Sequence, residues 1–365
     1  MKAVILAGGE ATRLRPLTCN TPKAMVPVLN TPFLEYVIGY LNHYHIKDIV
    51  LTQRGLTQSV ESYFGDGSQF GVKLSYIIED TPLGTAGAVK NTEKHLDETF
   101  LVLNGDIFTD LDITAMINFH LERKAKATIA LTPVEDPTRY GVVEMEAQGR
   151  VTRFLEKPSW SEVTTRMINA GTYVLEPEVL AYIPPQTNYS FERGLFPLLL
   201  ERGEPVYAFS SSGYFMDMGT AESYFQLNWD LLSGKCRLNW GGFTTREGMR
   251  VGKQTIIHPT AQIEGRVVIG DNCTIGRKVK LTGSVVIGSG CTVQSEAVIA
   301  GSVIWSNVQI GRGATVRDSI IANNCHLHPN CCITDGSVLG DNVTLLSGCK
   351  LDPGSKIEPG TTVDT

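Results

Sequence analysis

From residue 257 onward an aliphatic side chain returns every six positions: Ile257, Ile263, Ile269, Ile275, Leu281, Ile287, Val293 and Ile299. The count slips by one to Ile304, holds through Ile310 and Val316, and slips again to Ile321. It then runs on through Leu327, Ile333, Leu339, Leu345, Leu351, Ile357 and Val363. Two positions before most of these stands a small or β-branched residue, such as Ala261, Val279, Ala297, Ala314, Ser319 or Ser355. One aliphatic and one small inward position per hexad is the pattern of a parallel β-helix, in which three hexads close one triangular coil; about six coils are expected. Few other folds tolerate such a repeat.

The repeat also accounts for most of the eight cysteines. Cys273, Cys291, Cys325, Cys331 and Cys349 all occupy the small inward slot, where a thiol packs as a small hydrophobe. The chain has no CxxC pair, so packing is preferred to metal binding.

Residues 1–234 follow a different pattern. VILA, DIVLT, KLSYII, FLVLN and ATIALT read as strands. The stretches PFLEYVIGYLNHY, TAGAVKNTEKHL and DITAMINFHLERK read as helices, the last with Met116, Phe119 and Leu121 at helical spacing. Strand–helix alternation with continuous apolar strands implies a mostly parallel sheet covered on both faces, with ligands bound beyond the carboxyl ends of its strands. Residues 235–255 fit neither pattern and are expected to be a linker, giving domains at 1–234 and 256–365.

A net charge of −6 over 365 residues argues against nucleic acid as the main partner. No apolar run reaches the roughly 20 residues of a membrane span. The opening MKAVILAGG reads as a buried strand rather than a leader, so the cytoplasm is the expected compartment.

The strand ends carry the chemistry. LAGGEATRLRPLT runs from Leu6 and Ala7 into Gly8 and Gly9, followed by Thr12, Arg13, Arg15 and, further on, Lys23. Glycines let backbone N–H groups approach a phosphate; Arg13 can fork onto its oxygens and Lys23 adds a point charge. The motif is neither a Walker loop nor a dinucleotide fingerprint. Asp106 ends FLVLNGD and Asp217 lies in YFMDMGT; carboxylates at two strand ends suit Mg²⁺ shared with substrate phosphates. Glu156 and Lys157 of FLEKP form a charge pair before a turn proline. Asn169 and Gly171 of MINAGTY lie in apolar context, where the amide needs either a ligand or a backbone partner.

AGGxxTRLRPLT…PK, PLGTAGA, LVLNGD, YGVV, RFLEKP, NAGTYVL and FMDMG, in that order, resemble the nucleotide-sugar pyrophosphorylases. These are sugar-1-phosphate nucleotidylyltransferases, and the mannose-1-phosphate guanylyltransferase branch is the most similar. The resemblance spans essentially the whole chain. It implies an α/β fold: a Rossmann-like, mostly parallel nucleotidyltransferase domain followed by a C-terminal left-handed β-helix of hexapeptide repeats. It implies a nucleoside triphosphate and a sugar 1-phosphate as partners and Mg²⁺ as cofactor, held at Asp106 and Asp217. Leu6, Ala7, Gly8, Gly9, Thr12, Arg13 and Lys23 would cradle the nucleotide. Tyr140, Gly141, Glu156, Lys157, Asn169 and Gly171 would surround the sugar phosphate. Arg13, Lys23, Asp106 and Lys157 would carry the catalysis, which is positioning and charge neutralisation for an in-line displacement.

The segment Glu79, Asp80, Thr81, Pro82, Leu83, Gly84, Thr85 matches the family's base-reading loop. Guanine presents two adjacent donors, N1–H and the 2-amino group, and one carboxylate accepts both. Glu79 therefore favours GTP, with uridylyl or thymidylyl transfer as the alternative. The family's third loop glycine is replaced by Ala11, which would be strained by about 1 kcal/mol if that position needs φ > 0. A noncatalytic regulatory subunit is thus the rival from another class. An acyltransferase site on the β-helix, with His258, His326 or His328 as base, is a third reading. The β-helix is otherwise expected to serve as an assembly surface for a homo-oligomer.

Overall fold

The computed structural model describes residues 1–236 and 248–364. In chain order the elements are β1 (Lys2–Ala7), β2 (Pro27–Val28), β3 (Thr31–Pro32), α1 (Phe33–His43), β4 (Asp48–Gln53) and α2 (Thr57–Phe64). Then come β5 (Lys73–Ile78), α3 (Gly84–Asn91), β6 (Phe100–Asn104), β7 (Ile107–Thr109), α4 (Ile113–Glu122), β8 (Ala127–Pro133) and β9 (Gly141–Met145). They are followed by β10 (Val151–Glu156), β11 (Met167–Leu175), α5 (Phe196–Glu201), β12 (Val206–Ser210), β13 (Phe215–Asp217) and α6 (Ala221–Ser233).

Two compact units divide these residues: Met1–Glu10 with Leu34–Asp217, and Ala11–Phe33 with Met218–Thr365. Compactness thus groups the chain differently from residue pattern, because Ala11–Phe33 clusters with the C-terminal repeat.

The first unit is built on a sheet ordered β10-β9-β11-β6-β1-β4-β5, with β8 between β11 and β12. β5, β4, β1 and β6 run parallel, and β11 pairs antiparallel with β6. The inner parallel strands β1, β4 and β6 have apolar centres, as strands covered on both faces must: Ala3, Val4, Ile5, Val50, Leu51, Leu101 and Val102 are all buried, whereas the edge strand β5 is only partly covered. Helix α4 starts at Asp112, whose carboxylate accepts the Ala115 N–H at 2.9 Å. Its buried face is Ile113, Met116 and His120, while Leu121, expected on that face, is 54% exposed. His120 takes the core position because both ring nitrogens find partners, Thr128 Oγ1 at 2.8 Å and Glu176 Oε1 at 3.1 Å.

In the second unit the hexads form a parallel β-helix. One column stacks Ile257, Ile275, Val293, Ile310, Leu327, Leu345 and Val363 in parallel register. A second stacks Ile263, Leu281, Ile299, Val316 and Ile333. A third stacks Val251, Ile269, Ile287, Ile304, Ile321, Leu339 and Ile357. The register survives both phase slips, because each falls within a coil and shortens it by one residue. The strand Met249–Val251 pairs with Val267–Ile269, so the third column begins inside the segment expected as linker; residues 237–247 of that segment lie outside the described residues. The inward cysteines are buried, and their thiols reach carbonyl oxygens of the coil structure: Cys273 to Gly288 at 3.0 Å, Cys291 to Trp305 at 3.1 Å and Cys325 to Gly340 at 3.1 Å.

Helix α6 opens with a capping box between Thr220 and Ser223 and closes at Gly234, φ 73°. In the same unit Trp305, fully buried, donates to Tyr224 Oη, which bonds Pro27 O. Asn228 Oδ1 accepts the Leu29 N–H, and Asn30 Nδ2 donates to Ile287 O. These contacts fasten the Ala11–Phe33 segment to the β-helix. No described helix is long and apolar enough to cross a membrane.

Candidate active site

In the first unit, expected residues follow the carboxyl ends of three parallel strands: Gly8 and Gly9 after β1, Glu79 after β5 and Asp106 after β6. Gly105 fits tightly under β1: its N–H donates to Leu6 O at 2.8 Å, and a β-carbon there would lie 2.6 Å from that oxygen. Only glycine allows this approach, which sets Asp106 beside the end of β1. Beyond Leu6 and Ala7, a β-carbon at Gly8 would meet Glu79 Oε1 at 3.2 Å and Arg54 Cβ at 3.7 Å, whereas Gly9 faces open space.

Glu79 lies against the glycine turn. It is 8% exposed, and its Oε2 accepts the Leu83 N–H at 3.3 Å. Burial pushes its carboxyl upward; the Leu83 amide, the Arg54 charge and the Thr52 hydroxyl pull it partly back. Pro82 is exposed at the tip of the following loop. Gly84 opens α3 at φ 68°, where a β-carbon would strike Asn188 Oδ1 and Tyr189 O. Thr85 is held structurally: its hydroxyl donates to Glu192 Oε2 at 3.0 Å and accepts the Phe191 N–H at 2.9 Å.

The two aspartates come together through β7 and β13. Asp217 is the register partner of Ile107, the residue after Asp106. Asn104 ends β6 two residues before Asp106, and its buried Oδ1 has no hydrogen-bond partner among the described residues. Gly171, φ 64°, packs against Asn104 and Ile107, where any β-carbon would clash. Two carboxylates at neighbouring strand ends are hard oxygen donors, which fit a divalent cation that keeps water and phosphate ligands. No group of three or more His, Cys, Asp or Glu capable of holding a metal occurs among the described residues, so substrate or water would have to complete the shell.

On the other side of β11, Gly141 pairs with Glu156, and a β-carbon at Gly141 would meet Phe154 Cζ at 2.6 Å and Glu156 Oε2 at 3.1 Å. Burial, reinforced by the charge of Glu192, pushes the Glu156 carboxyl upward, while Lys157 and Arg193 oppose the shift. Lys157 is exposed with φ 51°; its N–H donates to Tyr140 O, and its Nζ lies 3.9 Å from Glu156 Oε1. Tyr140 stands edge-on to Phe215, ring centroids 6.2 Å apart. Asn169 has internal partners: its Nδ2 donates to Tyr173 Oη at 2.8 Å and its Oδ1 accepts the Gly171 N–H at 2.9 Å. It thereby shapes the bulge of β11.

Thr12, Arg13 and Lys23 belong to the second unit. Ala11 sits at φ 47°, ψ 39°, in the left-handed region, at the start of a 3₁₀ turn over Thr12–Leu14. Thr12 and Arg13 are exposed. Lys23 begins a second 3₁₀ turn, Lys23–Met25, after Pro22.

Residue patterns had not singled out Arg54, Asn104 or Glu192. Asn104 directly precedes the Gly-Asp pair, and that position was its one available signal. Glu192 bridges Thr85 and Tyr173, residues far apart in sequence.

The Nucleotidyl transferase family matches residues 2–234, and the EIF2B subunit epsilon LbH domain, a left-handed β-helix, matches residues 246–362. The UTP–glucose-1-phosphate uridylyltransferase of Synechocystis sp. is 35% identical over 368 residues, 96% of this chain and 90% of that protein. The mannose-1-phosphate guanylyltransferase of Mycobacterium tuberculosis is 35% identical over 281 residues, 75% of this chain and 76% of that one. The crystal structure of HddC from Yersinia pseudotuberculosis complexed with GMP-PN is 31% identical, with a TM-score of 0.55 over 63% of this chain and 98% of that chain.

Proposed function

The chain belongs to the nucleotidyl transferase family, and on that premise we propose that it transfers the guanylyl group of GTP to mannose 1-phosphate, giving GDP-mannose and pyrophosphate. The observation that carries the base choice is Glu79, a buried carboxylate set against Gly8 at the strand ends. It offers two acceptors to the two adjacent donors of guanine. The guanylyltransferase relative supports the same reading.

An oxygen of the sugar phosphate attacks the α-phosphorus in line, the bond to the β-phosphate bridging oxygen breaks, and pyrophosphate departs opposite. No protein nucleophile is needed. Gly8 and Gly9 leave room for the triphosphate, and Arg13 and Lys23 neutralise the charge that builds on the leaving pyrophosphate. Lys157 holds the attacking phosphate. Tyr140, Gly141 and Glu156 line the sugar side, while Asn169 and Gly171 shape the strand behind it. Asp106 and Asp217 would hold Mg²⁺, which when bound supplies charge neutralisation to the substrate phosphates. The protein is read as cytoplasmic and as a homo-oligomer that assembles through its β-helix, with the catalytic part ending near residue 234.

The Synechocystis relative, matched over 96% of this chain, favours uridylyl transfer to glucose 1-phosphate as the second reading. Pyrophosphate release across GTP, UTP, dTTP, ATP and CTP against mannose, glucose and N-acetylglucosamine 1-phosphates separates the two. A peak at GTP with mannose 1-phosphate supports the proposal; a peak at UTP with glucose 1-phosphate replaces it. Silence everywhere would favour a noncatalytic subunit.

A further inference from the structure

Arg54 lies beside Glu79 with no role assigned to it. Gln53 and Ile78 are register partners at the ends of β4 and β5, so Arg54 and Glu79 leave the sheet side by side. Both converge on Gly8: a β-carbon there would touch Glu79 Oε1 and Arg54 Cβ. The Arg54 guanidinium is held by Glu10 of the glycine turn, with Nη1 3.2 Å from Oε1, and is 31% exposed against 63% for Glu10. A pair this exposed is weak and readily exchanged.

We propose that Arg54 and Glu79 together read the edge of guanine, Arg54 donating to O6 and N7 while Glu79 accepts from N1–H and the 2-amino group. This rests on the guanylyl reading. Guanine alone among the common bases presents two adjacent acceptors followed by two adjacent donors, and an arginine fork is the usual partner of the O6/N7 pair. Adenine turns a 6-amino donor toward the fork, and uracil has no N7. The flanking charges argue against a phosphate at this spot. Arg54 stands between the carboxylates of Glu10 and Glu79, which would repel a phosphate but tolerate an uncharged base. On binding, Arg54 exchanges Glu10 for the base, and the exposed Glu10 returns to water.

The test compares kcat/KM for GTP, 7-deaza-GTP, which lacks N7, and ITP, which lacks the 2-amino group, in the wild type and in Arg54→Met. The wild type should lose about tenfold with each analogue. Arg54→Met should no longer distinguish 7-deaza-GTP from GTP yet should still reject ITP. A wild type indifferent to 7-deaza-GTP overturns the proposal whether or not the variant folds. An equal 7-deaza penalty in both proteins, with GTP still preferred, also overturns it and leaves the guanylyl reading standing. Equal losses for GTP, UTP and ATP in Arg54→Met would make it a phosphate contact and overturn the proposal. A wild type that prefers UTP removes the guanylyl reading itself.

Discussion

The indole N–H of Trp305 donates to the hydroxyl of Tyr224 at 2.9 Å, in a buried edge-to-face pair with ring centroids 6.5 Å apart. Tyr224 in turn donates to Pro27 O at 2.6 Å. The β-helix is thereby tied through α6 to the segment that carries Arg13 and Lys23. Trp305→Phe deletes the donor but keeps most of the apolar volume. It should lower stability by about 1–3 kcal/mol and raise KM for the nucleotide more than it lowers kcat. Calorimetry and steady-state kinetics check this; a lowered melting temperature with an unchanged KM would confine Trp305 to packing.

Ala11 occupies a left-handed position at φ 47°, where a β-carbon is strained. Ala11→Gly should relieve about 1 kcal/mol, less whatever the glycine adds to the entropy of the unfolded chain. The expected outcome is a melting temperature equal to or above wild type with turnover undiminished. A clear loss of stability would mean that Ala11 packs in a way glycine cannot replace.

His120 links protonation to folding. Burial holds its imidazole below the ordinary value of 6.5, with Glu176 opposing the shift. The unfolded chain therefore binds the proton first as pH falls. The stabilisation is fully present above pH 6.5 and declines as pH drops from there through the folded-state value. Melting temperatures from pH 7.5 to 5 should fall more steeply for the wild type than for His120→Gln. Parallel curves would contradict this linkage.

Glu79 has the opposite sign. Its carboxyl is raised in the folded state, so its charge opposes folding at pH values above the ordinary carboxylate range, and the opposition eases as pH falls. Glu79→Gln should therefore leave stability at pH 7 unchanged or higher while eroding the preference for GTP. Lost stability together with an intact preference would reassign Glu79 to holding the Leu83 loop.

The hexad phase made the β-helix legible almost residue by residue, because one inward position per six is fixed by the coil geometry. The phase slips reappear as coils one residue shorter, Val293 over Ile310 and Ile310 over Leu327. The inner parallel strands β1, β4 and β6 were equally plain, since burial on both faces leaves their centres no polar alternation. Helix α4 was misjudged on its face, because a histidine satisfied by Thr128 and Glu176 is as good a core residue as a leucine. The partners of Asn169 could not be read from MINAGTY, since the choice between ligand, backbone and Tyr173 depends on a bulge. The docking of Ala11–Phe33 onto the β-helix was invisible as well. It rests on Tyr224, Asn228 and Trp305, which lie far off in sequence and carry no motif.

The most direct test of nucleotidyl transfer is pyrophosphate release from GTP and mannose 1-phosphate with Mg²⁺, comparing wild type with Asp106→Asn and Lys23→Ala. Wild type should turn over, and each variant should fall by at least about a hundredfold in kcat while melting within a few degrees of wild type. A variant with near-normal kcat would contradict the assigned role of that residue. A wild type silent with every nucleotide and sugar phosphate would contradict the account as a whole.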